Sequence, residues 1–379
     1  MALPKASVLL VLFAATALLY IGIIYIDQPV SNIHYGVEVA EGQYGVICKD
    51  CNKYCYTSPY NKKMVPLPEE ELHQIGCEKR LPQALVIGVK KSGTTALKHF
   101  LSFHPQLASP VDEVHYFDNR YFMGIDWYIS QMPYALRNQT VLEKTPRYFV
   151  WADAPERASR DLSSDLRMIV VLRDPIPRAV SDFVHIKFKD NLKKIAENGG
   201  KPVKQIVLPL TAELKKVRDK QKVSDDVHNK AIGSSFYDVV ESFEESVIDP
   251  DGNVKGHNAL VDTGIYVKYL RRWYEKFPRD QILVMDGLDL IKNPYKAMKS
   301  VEEFLGLNSH FTEKHFYFDE EKHFFCLALP IKACMSASKG RTHPEVSEEV
   351  MAKLREFYKP YDQELEELTG QTFSWVQRD

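Results

Sequence analysis

The sequence has no excess of charge of either sign. Its 379 residues include 49 lysines and arginines and 51 aspartates and glutamates, which gives a net charge of −2. A protein that attracts nucleic acid over its whole surface carries a marked positive charge, so this balance argues against that class and predicts no nucleic-acid partner. Any site for a polyanion must therefore be a local patch on one large domain.

The sequence also has few cysteines. The first four of the six are Cys48, Cys51, Cys55 and Cys77, and no second C-x-x-C or histidine pair completes a zinc site with them. In an oxidising compartment disulfides are favoured over such a site, although the pairing of these four stays open. The remaining two, Cys326 and Cys334, lie eight residues apart, so a local disulfide could close the loop between them. We expect no metal site.

Only one long hydrophobic run occurs, at residues 7–26, and it contains no charged residue. Its length suffices to cross a bilayer as a helix, and Lys5 before it orients the remainder of the chain toward the lumen. We therefore expect a cytosolic tail (1–6), a transmembrane signal-anchor (7–26), a luminal stem (27–80) and a compact domain (81–379). A cleaved signal peptide is the alternative, but its apolar region is usually shorter. Asn138, in an N-Q-T triplet, is a candidate luminal glycosylation site.

From residue 81 onward, strand-like segments alternate with segments of helical periodicity. The strand-like segments are residues 84–89, 140–146, 166–175 and 281–287, and the helical ones are 94–104, 177–188, 266–277, 293–307 and 347–368. This alternation predicts an α/β fold with a mostly parallel central sheet flanked by helices, whose ligands bind beyond the carboxyl ends of the strands. Residues 187–233 are expected to be an insertion, either a solvated excursion or a basic flap over an anionic ligand.

The turn after the first of these strands resembles a phosphate-binding loop with a displaced lysine. Gly88 and Gly93 have the spacing of G-x-x-x-x-G-K-[ST], but Thr94 occupies the lysine position and Lys91 precedes the second glycine. A strand-to-helix turn of this kind directs backbone N–H groups at an anion. The third strand-like segment ends in Arg173-Asp174-Pro175 rather than in the magnesium-holding carboxylate that a triphosphatase needs. The loop therefore predicts a phosphate cradle that does not hold a magnesium triphosphate, and an ordinary glycine turn is the alternative.

A second anion site is expected at Arg173 and Ser181. An arginine can bind a phosphate through two parallel hydrogen bonds, and Ser181 follows eight residues later on a predicted helix. Together with the cradle, this pair predicts a ligand with two separated phosphoryl-type groups.

Eight ordered motifs then extend the pattern over residues 81–376, apart from the insertion. They are GVKKSGTTAL, DEVHYFDN, GIDWYISQMP, LEKTPRYF, VLRDPIPRAVSDF, EEFLGL, HFYFDEEKHFFC and SKGRTHPE. Together they resemble the heparan sulfate glucosamine 3-O-sulfotransferases, a family of Golgi type II carbohydrate sulfotransferases. The resemblance implies a single sulfotransferase domain with a P-loop-like phosphosulfate-binding loop. It also implies 3′-phosphoadenylyl sulfate (PAPS) as donor, adenosine 3′,5′-bisphosphate as product, and no metal requirement.

The same resemblance assigns the donor-binding residues. The 5′ phosphosulfate would be bound by Lys91, Ser92, Gly93, Thr94 and Thr95, although the family often has glycine at position 92 and arginine at position 95. The 3′ phosphate would be bound by Arg173 and Ser181. A late loop that closes over the donor would contain Lys339, Gly340, Arg341, Thr342 and His343.

The resemblance makes Glu113 the general base that accepts a proton from the sugar hydroxyl, with Asp112 as its competitor. Lys91 and Lys144 would stabilise the transferring sulfuryl group, and His115 completes the catalytic set. A bound sulfate beside Glu113 is expected to raise the pKa of that carboxyl. The expected acceptor-binding residues are Glu113, Val114, His115, Tyr116, Phe117, Asp118, Asn119, Lys144, Thr145, Pro146, Arg147, Trp273 and Tyr274.

The sequence is compatible with several alternatives. Trp273 and Tyr274 could be packing residues instead, and Arg147 departs from the family pattern. The protein could be a heparan sulfate N-sulfotransferase or another Golgi glycan sulfotransferase. A distant alternative is a glycan-binding homologue that has lost catalysis.

Overall fold

Short parallel strands lie at the centre of the protein. A computed structural model describes residues 55–56, 65–199, 242–330, 332–335 and 343–376, with only the backbone described for residues 189–199. The strands are β1 (Glu78–Lys79), β2 (Ala84–Gly88), β3 (Leu107–Ala108), β4 (Tyr134–Ala135), β5 (Thr140–Lys144), β6 (Arg167–Leu172), β7 (Ile282–Asp286), β8 (Phe316–Asp319) and β9 (Phe324–Leu327). The helices are α1 (Glu69–Ile75), α2 (Thr94–Leu101), α3 (Ile125–Gln131), α4 (Ala154–Asp161), α5 (Pro175–Gly199), α6 (Phe243–Val247), α7 (Ala259–Asp262), α8 (Tyr266–Tyr274), α9 (Gly287–Lys292), α10 (Pro294–Leu305) and α11 (Glu348–Thr369).

The main sheet has five parallel strands in the order β3-β5-β2-β6-β7. Both faces of β2 are covered, which explains its run of apolar residues without polar alternation. Leu85 and Ile87 belong to the apolar core on one face, whereas Ala84 and Val86 belong to a second core on the other. The predicted α/β fold with a parallel sheet between helices is thus confirmed.

The predicted strands and helices correspond to observed elements, with shorter bounds in most cases. For example, α10 begins at Pro294, because the Asn293 side chain accepts a hydrogen bond from the Lys296 amide at 3.0 Å. It ends at Leu305, because the next residue, Gly306, has a φ of 66°, the left-handed conformation that glycine tolerates best. The exception in length is α5, which continues to Gly199, so the first part of the predicted insertion extends this helix.

Two disulfides support the edges of the domain. Cys55 bonds Cys77, close to the antiparallel pair β1 and β4. Cys326 bonds Cys334 beside the β8–β9 hairpin, with Cα atoms 4.7 Å apart, which confirms the local disulfide predicted from their spacing.

Several predictions fall on residues that the structure does not describe. These are the hydrophobic segment 7–26, Cys48 and Cys51, residues 200–233 of the insertion, and residues 339–342 of the late donor loop. Among the helices within the described ranges, none combines the length and the apolar character needed to cross a bilayer.

Candidate active site

The sheet brings the ends of three neighbouring strands together. The Thr145 amide, just past β5, donates a hydrogen bond to the Val86 carbonyl of β2 at 3.2 Å. The Val89 amide, just past β2, donates to the Val171 carbonyl of β6 at 3.0 Å. The segments that follow β2, β5 and β6 therefore lie side by side at one edge, where parallel sheets bind ligands.

The loop after β2 ends in a helix whose first turn has no side-chain cap. Gly93 occupies the N-cap position of α2 with a φ of 106°, and no side chain accepts a hydrogen bond from the first turn. The unpaired N–H groups at such a terminus attract an anion. Lys91 precedes it with a φ of 73°, and the neighbouring Ser92 and Thr94 are buried. The predicted phosphate cradle is geometrically suited to an anion.

A second glycine, Gly287, allows another backbone segment to pack closely against this loop. A Cβ atom on Gly287, at the start of α9, would lie 2.6 Å from the Ser92 carbonyl oxygen and 2.8 Å from that of Leu172. Glycine is therefore required there by the close approach of two backbone segments. This residue was not predicted from the sequence, where its only signal is a glycine directly after an apolar strand.

Arg173, just past β6, faces the same loop. Its guanidinium Nη1 donates to the Lys91 carbonyl at 3.3 Å, and its own carbonyl accepts a hydrogen bond from the Tyr266 hydroxyl at 2.6 Å. Partial burial, followed by the positive charges of Arg173 and Lys91, lowers the pKa of His343. The predicted donor-binding residues Lys91, Arg173 and His343 are thus close enough to interact. Ser181 lies half-buried on α5.

The residue next to Arg173 connects it to the C-terminal helix. The Asp174 carboxylate accepts two hydrogen bonds from Arg355 of α11, at 3.0 and 2.7 Å. A bidentate pair of this kind fixes geometry as well as charge. Arg355 was not predicted, because a contact across 181 positions in sequence leaves no local pattern.

The candidate base lies between two cationic groups. One Glu113 oxygen, Oε1, pairs with Lys144 Nζ, and the other, Oε2, lies 3.4 Å from His115 Nε2. His115 Nδ1 in turn lies 2.8 Å from Oδ2 of the buried Asp118. The structure therefore brings together the predicted catalytic residues Glu113, His115 and Lys144. Asp112 is exposed on the neighbouring position.

The pKa of Glu113 differs from the raised value expected from the sequence. Burial alone would raise the pKa of Glu113, but the hydrogen bonds from His115 and Lys144 together lower it to about 2. Asp118 and then Glu113 raise the pKa of His115 to about 9, because both favour the imidazolium. A raised pKa of Glu113 was expected from the charge of a bound sulfate; in the protein alone, the two neighbouring cations dominate. At neutral pH the carboxylate is ionised and the imidazole is protonated.

Two polar residues that were not predicted from the sequence, the buried Glu143 and the half-buried Lys98, support the catalytic segment. Glu143 accepts hydrogen bonds from the Thr145 hydroxyl and, at 3.4 Å, from the Val114 amide. Lys98 of α2 donates to the Val111 carbonyl at 2.6 Å, and burial followed by the charge of Lys144 lowers its pKa to about 8. Both residues bind the backbone on either side of Glu113. They were not predicted because the sequence around them indicates only an ordinary strand and an ordinary helix.

Several residues expected to bind the acceptor have buried side chains instead. These are Val114, Tyr116, Phe117, Thr145, Pro146 and Trp273. Trp273 is 0% exposed, and its indole Nε1 donates to the Phe149 carbonyl at 3.2 Å. The expected acceptor contacts of these side chains are corrected to packing, because a buried ring or methyl group has no surface to offer a polysaccharide. The apolar residues that alternate with Glu113, His115 and Asp118 anchor the catalytic segment.

Of the other acceptor candidates, Asp118 and Lys144 are buried beside Glu113, whereas Asn119, Arg147 and Tyr274 reach the surface. Asn119 and Arg147 are exposed, and Tyr274 is half-buried with the Arg279 guanidinium 5.2 Å from its ring centroid. Asn138 is exposed in the turn before β5, so its side chain is accessible to modification.

Comparisons with known proteins identify the family of this chain. A family model described as "Sulfotransferase domain" matches residues 81–372. A solved sulfotransferase from Alicyclobacillus acidocaldarius is 18% identical, with 79% of this chain and 100% of that one covered and a TM-score of 0.48. Heparan sulfate glucosamine 3-O-sulfotransferase 3B1 of Homo sapiens is 36% identical over 316 residues, which are 82% of this chain and 69% of the relative. Heparan sulfate glucosamine 3-O-sulfotransferase 5 of Mus musculus is 32% identical over 312 residues, with 81% and 78% covered. This chain therefore belongs to the sulfotransferase family, in the group of the heparan sulfate glucosamine 3-O-sulfotransferases.

Proposed function

We propose that this sulfotransferase transfers a sulfuryl group from PAPS to the 3-hydroxyl of glucosamine residues in heparan sulfate, with Glu113 as the general base. The observation that carries the proposal is the adjacency of two arrangements at one sheet edge. One is an uncapped, cation-lined loop suited to an anion, and the other is an ionised carboxylate held by His115 and Lys144. The names of the relatives support heparan sulfate as the acceptor.

The residues after β2 and β6 fit a donor with phosphate groups at two ends. The first turn of α2 and Lys91 would hold the 5′ phosphosulfate, and Arg173 with Ser181 would hold the 3′ phosphate. His343 lies near both cations and would contact the donor from the late loop. When bound, PAPS supplies an activated sulfuryl group and leaves as adenosine 3′,5′-bisphosphate.

The catalytic residues would handle one proton and the charge of the transfer. Glu113 Oε would accept the proton of the attacking hydroxyl, and its ionised state at neutral pH keeps it available. Lys144 and Lys91 would stabilise negative charge on the transferring group. His115, which is protonated and fixed by Asp118, would hold the Glu113 carboxylate in position. A pKa of about 2 makes Glu113 a weak base until the acceptor displaces one of its cationic partners.

We further propose that the protein is a single-pass type II Golgi membrane protein with its catalytic domain in the lumen. The charge-free segment at residues 7–26 and the two disulfides support this location, since disulfides persist in oxidising compartments. Expression of a tagged full-length chain, with protease protection of isolated Golgi vesicles, tests it. Digestion of the catalytic domain in intact vesicles would contradict the proposal.

One analysis tests the proposed reaction directly. The purified luminal domain is incubated with heparan sulfate and radiolabelled PAPS, and the product is digested and resolved as disaccharides. We expect label on the 3-O position of glucosamine. Label on the glucosamine nitrogen would instead identify an N-sulfotransferase, and binding of heparan sulfate without transfer would identify a glycan-binding homologue.

A further inference from the structure

Arg147 is an exposed arginine held in one position beside the catalytic residues. It directly precedes the 3-10 helix Tyr148–Val150, and its side chain is 46% exposed. The guanidinium carbon lies 4.8 Å from the centroid of the Trp151 ring, and Nη1 donates to Asn119 Oδ1 at 3.2 Å. An arginine stacked on an indole and hydrogen-bonded at one end loses little further freedom when it binds a ligand.

The position of Arg147 relates it to the proposed base. Its Nε lies 3.9 Å from Asp118 Oδ2, the same oxygen that is 2.8 Å from His115 Nδ1. His115 Nε2 lies 3.4 Å from Glu113. The Arg147 guanidinium therefore lies near the Glu113 carboxylate, which would receive the acceptor hydroxyl. Asp118 and His115 lie between the two groups.

The guanidinium has hydrogen-bonding capacity beyond these contacts. It carries five N–H donors, of which the bond to Asn119 uses one, and 3.9 Å to Asp118 exceeds hydrogen-bond length. Its fork geometry matches the two oxygens of a carboxylate or a sulfate, the groups that a heparan sulfate chain presents on the sugars beside a glucosamine.

We infer that Arg147 is a specificity-determining residue that binds an anionic group of the acceptor next to the target hydroxyl. The inference rests on the proposed function and adds the chemistry of one acceptor contact to it. The anionic group is either a uronic carboxylate or an O-sulfate. Each carries one negative charge and presents two oxygens that a guanidinium can bind in parallel, although the sulfate is tetrahedral and has a third terminal oxygen. The competing role is a positioning one, in which Arg147 acts only by orienting Asp118.

Steady-state kinetics with the variants R147A and R147K separate these roles. We expect R147A to raise the acceptor KM about 10- to 100-fold, because hydrogen bonds to charged groups contribute on that scale, with kcat within about threefold of wild type. R147K should recover only part of the loss, since an ammonium lacks the fork. The matched control is R137A, which removes an exposed arginine near the opposite, amino end of β5 and should leave both constants unchanged.

Modified acceptors identify the anion. One has its uronic carboxylates reduced to alcohols and the other has its O-sulfates removed. On the acceptor that lacks the group bound by Arg147, wild type and R147A should have the same KM. Three results would overturn the inference. They are a difference in KM between wild type and R147A that persists on both modified acceptors, a KM of R147A equal to that of wild type on unmodified acceptor, and a fall in the kcat of R147A with an altered alkaline limb of the pH profile. Absence of transfer by the wild type would instead overturn the proposed function itself.

Discussion

Replacement of Glu113 by glutamine is the perturbation with the clearest expected effect on catalysis. The carboxylate has a cation at each oxygen, Lys144 at Oε1 and His115 at Oε2. A glutamine of the same shape offers one acceptor oxygen and one NH2 group, so it can accept from only one of these cations and must direct a donor at the other. It also has no capacity to take up a proton at neutral pH.

The magnitude follows from the role assigned to the carboxylate. Loss of a positioned general base lowers kcat by about 10²–10⁴-fold, or about 2.7–5.4 kcal/mol of transition-state stabilisation. Donor affinity should stay near that of wild type, because the cations assigned to the donor are Lys91 and Arg173. The loss of one anionic partner should also lower the pKa of His115 from about 9 toward its usual value, although Asp118 remains in contact.

The assay compares single-turnover transfer from radiolabelled PAPS with calorimetric binding of adenosine 3′,5′-bisphosphate. The control is D112N, which removes the same charge from the adjacent exposed residue and should leave transfer intact. A Glu113→Gln variant that transfers at a rate within threefold of wild type would refute the assignment of the base. Loss of transfer in D112N alone would move the assignment to Asp112.

Three further predictions follow from the described contacts. Arg173→Ala should weaken binding of adenosine 3′,5′-bisphosphate by about 10- to 100-fold, measured by calorimetry, because the variant loses charge-assisted hydrogen bonds; unchanged affinity would remove this residue from the donor site. The value of kcat/KM should be level from about pH 5 to pH 8 and fall as the pH rises through about 9: Glu113, with its pKa lowered to about 2, is ionised throughout, and His115, with its pKa raised to about 9, loses its proton there. A fall centred near pH 6.5 would show that His115 is not paired with Asp118. Trp273→Ala should lower the free energy of unfolding by about 3–5 kcal/mol in urea titrations without a selective rise in acceptor KM, since the ring is fully buried; a stable variant with weakened acceptor binding would contradict its packing role.

The sheet and its ligand-binding edge could be predicted from the sequence because their signals are local. Strands β2 and β6 are nearly continuous apolar runs, and Gly93 directly precedes a helix, so both the parallel sheet and the phosphate cradle follow from short segments. The disulfide between Cys326 and Cys334 was predictable for the same reason.

The contacts that shape the site could not be predicted, because they join residues far apart in sequence. Arg355 reaches Asp174 from the last helix, and Gly287 is needed only because two backbones converge on it. Trp273 follows a pattern that suits either packing or sugar stacking, and only its full burial decides between them. The low pKa of Glu113 likewise depends on two cations that a single short motif does not reveal.

The most direct test of the account is a crystal structure of the catalytic domain with adenosine 3′,5′-bisphosphate. We expect the 5′ phosphate at the first turn of α2 beside Lys91, the 3′ phosphate at Arg173 and Ser181, and the 5′ end directed toward Glu113. A nucleotide bound at another edge of the sheet, or bound with its 5′ phosphate directed away from Glu113, would contradict the central claim.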